Sequence, residues 1–284
     1  MRLNLDAVGV TLGPKLVSWS DRDTLLYSLA VGAGQADPLD ELELTTENSL
    51  NVVPHTLPTF GVIVVQRAQL IPELGELDPA KVLHAEQRVV LERALPMTGT
   101  ALVRSTLTSI YDKGTGALAT ISSEARDPVL GAMLVRTVSS IFIRDAGGFG
   151  GQRGPVQSWA DPNREADQKI VVQTRRDQAL LYRLCGDRNP LHSDPTLSAR
   201  AGFDRPILHG LCTFGVVGRV LLRLVPGAGV ARFRSMGARF SKPVFPGDTL
   251  GVEVWVDENW ARFRVRDAIG DMVLDRGELL LESE

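Results

Sequence analysis

The chain has 284 residues, 44% of them apolar, and a formal charge of −3. That length suits one large domain or two ordinary ones and buries roughly 75% of the unfolded chain's surface, so no staple is needed. The charge balance argues against a general nucleic-acid binder, and no apolar run reaches the ~20 residues of a membrane span. Cys185 and Cys212 show neither metal-ligand spacing nor a disulfide framework. Asp6 stands where a secretory signal would begin its apolar core, so a cytoplasmic protein is expected.

In chain order, the first half opens with fragments that return later. Leu25-Leu26-Tyr27 recurs as Leu180-Leu181-Tyr182, 155 positions on. Thr59-Phe60-Gly61-Val62 recurs as Thr213-Phe214-Gly215-Val216, 154 positions on. Two matches at nearly one offset indicate an internal duplication. Between the copies, Asp145 to Pro155 carries five glycines and a proline, and polar sequence continues to Asp167. This turn-rich stretch reads as a linker at 147–166, separating a unit at 1–146 from one at 167–284.

The second unit is the more legible. Asp177 to Leu184 has helical spacing and stops at Gly186. Asn189-Pro190 cannot continue a helix. Asp194-Pro195 has the form of an N-cap with proline at the first helical position, and Gly202 that of the stop. A mostly apolar segment from His209 to Val225 predicts a long buried helix. Beyond Ala231, Val252, Val254 and Val256 alternate with charged or amphipathic residues. Phe263 and Val265 alternate with arginines, and Leu279 to Leu281 closes a last strand. Such alternation predicts antiparallel strands with one solvated face, and Pro246-Gly247-Asp248 a turn between two of them.

Within this unit Asp187 and His192 are five residues apart, but the Gly186 break and the Asn-Pro turn allow both to face one cavity. A carboxylate beside an imidazole can share a water, one group taking its proton and the other delivering a proton to carbon. The plainer alternative is a turn-capping aspartate and a satisfied loop histidine. Gly210, at a helix start, can bring backbone amides against a developing oxyanion. The first half acts as an internal control: by the two offsets, Asp187, His192 and Gly210 fall on Gly32, Asp37 and Thr56. The scaffold residues repeat and the chemical ones do not, which predicts one catalytic half and one pocket wall.

Tyr182 to His192, read as tyrosine, small residues, Gly-Asp-x-Asn-Pro-aliphatic-His, and the following His209-Gly210 resemble the MaoC-like, or hydratase 2, family of (R)-specific enoyl-CoA hydratases. Leu83-His-Ala-Glu-Gln87 and Phe240-Ser-Lys-Pro-Val-Phe-Pro-Gly-Asp248 resemble its longer, duplicated members. The resemblance implies an α+β double hotdog, two antiparallel sheets each wrapped around a long central helix. It implies hydration of trans-2-enoyl-CoA to (3R)-3-hydroxyacyl-CoA, or the reverse, with Asp187 and His192 as the catalytic pair and Gly210 polarising the thioester oxygen. Substrate contacts carry over onto His84, Ala85, Lys113, Arg188, Asn189, Pro190, Leu191 and Phe240; Ala85 departs from the glycine usual there. The resemblance further implies no metal and no cofactor beyond the acyl-CoA substrate itself. Acyl-carrier protein is a second candidate carrier, and a homodimer is expected. A hotdog thioesterase and a non-catalytic acyl-thioester-binding subunit are the competing readings.

Overall fold

A computed structural model describes residues 2–66, 70–155, 159–160 and 162–283. Ten of its strands make one antiparallel sheet, and two very short ones, β1 (Arg2–Leu3) and β3 (Gly75–Glu76), pair with each other. The first half contributes β2 (Thr11–Trp19), β4 (Val82–Leu91), β5 (Gly99–Asp112), β6 (Gly116–Arg126) and β7 (Met133–Arg144). The second contributes β8 (Gln168–Gln173), β9 (Phe233–Phe240), β10 (Thr249–Asp257), β11 (Trp260–Asp267) and β12 (Met272–Leu281). Across the sheet the order is β2-β5-β6-β7-β4-β9-β12-β11-β10-β8. Read outward from the middle, both halves follow the same path: second strand, fifth, fourth, third, first. The duplication inferred from two short fragments is therefore repeated in the topology.

Two expectations need correction. The two sheets are one, because β4 and β9 pair directly, with Glu86 opposite Arg239 and Val90 opposite Ser235. Each half's inner strand would otherwise be an open edge, and pairing them removes both. The two central helices are also unequal. The second half has α6 (Gly210–Leu224), whereas the first has α3, described over Gly61–Gln66, with a separate 3-10 turn already begun at Ile71–Leu74. Beyond α3, the sheet of the first half is covered instead by chain from the N-terminus and from the 70–82 stretch. Ala7, Leu70 and Leu74 pack there on Leu107, Ala119 and Ile143.

The remaining helices set up the junction. Helix α1 (Asp21–Ala30) opens with a reciprocal cap in which Ser20 N–H donates to Asp23 Oδ2 at 2.8 Å. Its second-half counterpart is α4 (Gln178–Tyr182), and the repeated tyrosines, Tyr27 and Tyr182, meet with ring centroids 6.1 Å apart. Helix α2 (Leu42–Thr45) follows the loop after α1. Helix α5 (Pro195–Arg200) starts at the expected Asp194 cap, which accepts from Thr196 N–H at 2.7 Å.

Among the ion pairs that join the halves, one is buried. Arg219 of α6 reaches Glu41 with both carboxylate oxygens in range, at 2.8 and 2.6 Å, and donates to the Val31 carbonyl at 3.2 Å. The side chains are 11% and 5% exposed, so removing Arg219 leaves the buried Glu41 carboxylate with only the half-exposed Arg223, 3.5 Å away, as a cationic partner. Arg219→Met is expected to destabilise the protein by about 3–5 kcal/mol. Denaturant midpoints check this; a shift under 1 kcal/mol would contradict a buried pair.

A candidate active site where the halves meet

The Gly186–Asp194 segment is built from consecutive local turns. Gly186, at φ 135°, takes the chain out of α4's following turn in a conformation that side chains resist. Asp187 Oδ1 then accepts from Asn189 N–H, and Asn189 Oδ1 from Leu191 N–H, each at 3.1 Å. Pro190 opens the 3-10 turn Pro190–His192. These nested aspartate and asparagine turns bring His192 back beside Asp187.

The hydrogen bonds determine the tautomers. His192 Nδ1 lies 2.9 Å from the Ile207 carbonyl, which can only accept, so Nδ1 carries the proton and Nε2 presents a lone pair. His209 Nε2 donates to the Asp187 carbonyl at 3.3 Å, leaving its Nδ1 buried and without a partner. The His192 and His209 rings stack, with centroids 3.8 Å apart and planes 29° from parallel. Ligand-type atoms of Asp187, His192 and His209 lie within 4.8 Å of one another. Stacked rings are poorly disposed to hold one ion, since a metal sits about 2.0–2.1 Å from imidazole nitrogen, near the plane of each ring.

Burial lowers all three histidines that ring the site. It pushes His84 down to about 4 and His209 to about 2, and lowers His192 against the opposing pull of the Asp187 charge. Each is neutral at pH 7. Because their folded values lie below the ordinary 6.5, the unfolded chain binds more protons in acid. Stability should be full above about pH 6.5 and decline as pH falls through that value. His209, only 1% exposed, should alone withdraw about 2 kcal/mol at pH 5. Equal denaturant midpoints at pH 7 and pH 5 would contradict this.

Helix α6 points its first turn at the same place. The amides of Gly210 and Leu211 precede any carbonyl of the helix that could receive them, and the helix dipole adds positive potential. A Cβ on residue 210 would lie 3.2 Å from the Phe240 ring, so glycine keeps this approach open. A cavity of about 660 Å³ unites Asp187 to His192, Gly210, His84 and Phe240 with apolar side chains of the first half, among them Ile71, Leu77 and Ile141. Beyond His84 and Phe240, whose rings meet edge to face at 5.0 Å, lies a second cavity of about 830 Å³.

Each residue expected at the site can now be placed. Asp187, Arg188, Asn189, Pro190, Leu191, His192, Gly210 and Phe240 line the first cavity. His84 and Phe240 border both, while Ala85 and Lys113 border only the second. Ala85 falls where the β4–β7 pairing skips a residue, between His84 and Glu86. Leu191 is 2% exposed and packs with Ala80, Ala201 and Ile207, so it is chiefly a packing residue. Sequence reading passed over the stacking role of His209, although it is the residue before Gly210. It also missed Asp112, whose neighbours come from across the fold. At the equivalent positions of the first half, Gly32 lies against Arg219, Asp37 is exposed, and Thr56 is buried against Met97.

The fold is a duplicated hotdog, with an acid–imidazole pair beside a helix end where its halves meet. Residues 17–145 match the MFE-2 hydratase 2 N-terminal domain and residues 157–275 the MaoC like domain. The chain belongs to the MaoC-like family. It is 42% identical over 287 residues to 3-hydroxyacyl-thioester dehydratase Y of Mycobacterium tuberculosis, covering 98% of each chain. It is 41% identical to Enoyl-CoA hydratase ChsH3 of the same organism, covering 90% of this chain and 91% of that one. Among solved structures it resembles a MaoC-like dehydratase from Phytophthora capsici, with TM-score 0.86, 29% identity and 99% of each chain covered.

Proposed function

We propose that the protein adds water across the double bond of a trans-2-enoyl thioester to give the (3R)-3-hydroxyacyl thioester, and catalyses the reverse dehydration. The observation that carries this is the convergence of Asp187, the Nε2 lone pair of His192 and the α6 amides on one apolar-walled cavity. The thioester oxygen sits at the Gly210 amide, which draws electrons from C3. Water held between Asp187 and His192 forms the C3–O bond and gives up one proton to the pair. The pair returns a proton to C2, so the electron pair of the double bond ends in the C2–H bond. Neither Asp187 nor His192 is singled out as the base. The named functions of the two mycobacterial relatives, one a dehydratase and one a hydratase, support a reversible reaction.

The same reading assigns the acyl tail to the first-half wall, and it holds that the reaction uses neither metal nor resident cofactor. It holds the protein to be a cytoplasmic homodimer taking acyl-CoA, with acyl-carrier protein as a second carrier. Among the described residues no helix is long and apolar enough to cross a membrane. The test is the ultraviolet band of the conjugated enoyl thioester, followed with purified protein and enoyl-CoA of several lengths, with chiral analysis of the product. Loss of the band with the (3R) alcohol formed supports the hydro-lyase. Release of free CoA indicates a thioesterase, and an unchanged band with CoA and carrier-protein thioesters a binding subunit.

A further inference from the structure

The glycine-rich stretch after β7 is held down by a single carboxylate. Asp112, the last residue of β5 and 7% exposed, accepts from Gly114 N–H at 2.8 Å, Gly148 N–H at 2.9 Å and Gly150 N–H at 2.8 Å. Its own N–H donates to the Gln152 carbonyl at 2.9 Å. Backbone amides converging on an anion are the device by which loops bind phosphate. Here the anion is supplied by the chain itself, so the nest is already filled and the strap is held in place.

The rest of the strap is equally determined. Gly147 lies so close to Gly114 that a Cβ would collide with its carbonyl oxygen. Gly154 lies on the Tyr111 ring, which a Cβ would approach to 2.7 Å. Phe149 packs against the first-half core, and Lys113 Nζ donates to the Arg153 carbonyl. Tyr111, Lys113 and Pro155 thereby become one wall of the second cavity, with Arg144 and Arg239 among its other lining residues. That cavity opens beside the thioester site across His84 and Phe240, and its cations suit an anionic carrier.

We propose that Asp112 is a positioning residue for carrier recognition: by filling the glycine nest it sets the strap, and with it Lys113, against the phosphate-bearing part of the thioester. The inference rests on the hydratase reading above. It explains why a stretch whose composition reads as a linker is tied down over 147–155. The negative charge of Asp112 does not face the carrier's phosphates, since both its oxygens are turned onto the strap's amides.

The test compares a trans-2-enoyl-CoA with the same acyl group on pantetheine, which lacks the nucleotide and its phosphates. Asp112→Asn is expected to raise KM for enoyl-CoA about tenfold with kcat within twofold, and to leave KM for enoyl-pantetheine unmoved. Gly154→Ala, which pushes the strap off Tyr111 and leaves Asp112 in place, should give the same selective rise, so a misfolded Asp112 variant does not decide the matter. An equal KM rise for both thioesters, a fall in kcat for both, or an unchanged KM for enoyl-CoA in Gly154→Ala overturns the proposal. If the unaltered protein hydrates neither thioester, the hydratase reading itself falls and this inference with it.

Discussion

Asp187→Asn is expected to lower kcat at least ~10²-fold while the protein stays folded. The separation of effects follows from the turn. Asparagine keeps the Oδ1 that accepts from Asn189 N–H, so the backbone that returns His192 to the site is preserved. What is lost is a negative charge and a proton acceptor beside the water. The loss has a second signature. The Asp187 charge opposes the burial that lowers His192, so without it the residual activity should have its acid limb at still lower pH than the parent enzyme. Turnover over a pH series, with circular dichroism on the same samples, measures both. Near-normal kcat in the folded variant would remove Asp187 from the chemistry.

Gly210→Val should be comparably severe by a different route. The added Cβ lies 3.2 Å from Phe240 Cδ1 and 3.3 Å from Cε1, and its methyls occupy the approach a thioester oxygen needs to reach the amide. Loss of one backbone donor to a developing oxyanion costs about 3–4 kcal/mol, or ~10²–10³ in rate. The control is Thr56→Val at the equivalent position of the first half. Thr56 is 1% exposed, and its hydroxyl lies 3.5 Å from the Met97 sulfur, a weak acceptor, so losing that hydroxyl should leave kcat/KM within a fewfold. Equal losses at both positions would undo the claim that one half holds the chemistry.

These two predictions rest on features of different legibility. Asp187 and His192 were readable because their juxtaposition is made by local bonds. A glycine, two side-chain-capped turns and a proline fix the path over seven residues, whatever surrounds them. The Asp194 cap, the Gly202 stop and the 15 residues of α6 were readable for the same reason, since caps and apolar spacing act within a turn or two. His84 carried no comparable signal. It becomes a site residue because β4 pairs with β9, which brings its ring against Phe240, 156 positions away in the chain.

The strap shows the same limit from the other side. Five glycines and a proline between two patterned halves have the composition of a linker, and composition records only what a backbone permits. The residues at 147–155 are held by Asp112 and Tyr111 on another strand, a contact that only packing can create. Of the stretch expected as linker, 156–158 and 161 lie outside the described residues.

The sequence by itself determined the turn that carries the acid and the imidazole, the helix end that faces them, the alternating strands and the duplication. Each depends on neighbours a few residues apart or on repetition along the chain. The tertiary structure alone decided that the two sheets join through β4 and β9, that the N-terminal chain and the 70–82 stretch cover part of the first half's sheet, and that His209 stacks on His192. Those outcomes depend on which apolar faces and open strand edges find one another, a choice made by long-range burial and hydrogen bonding that local propensity does not encode.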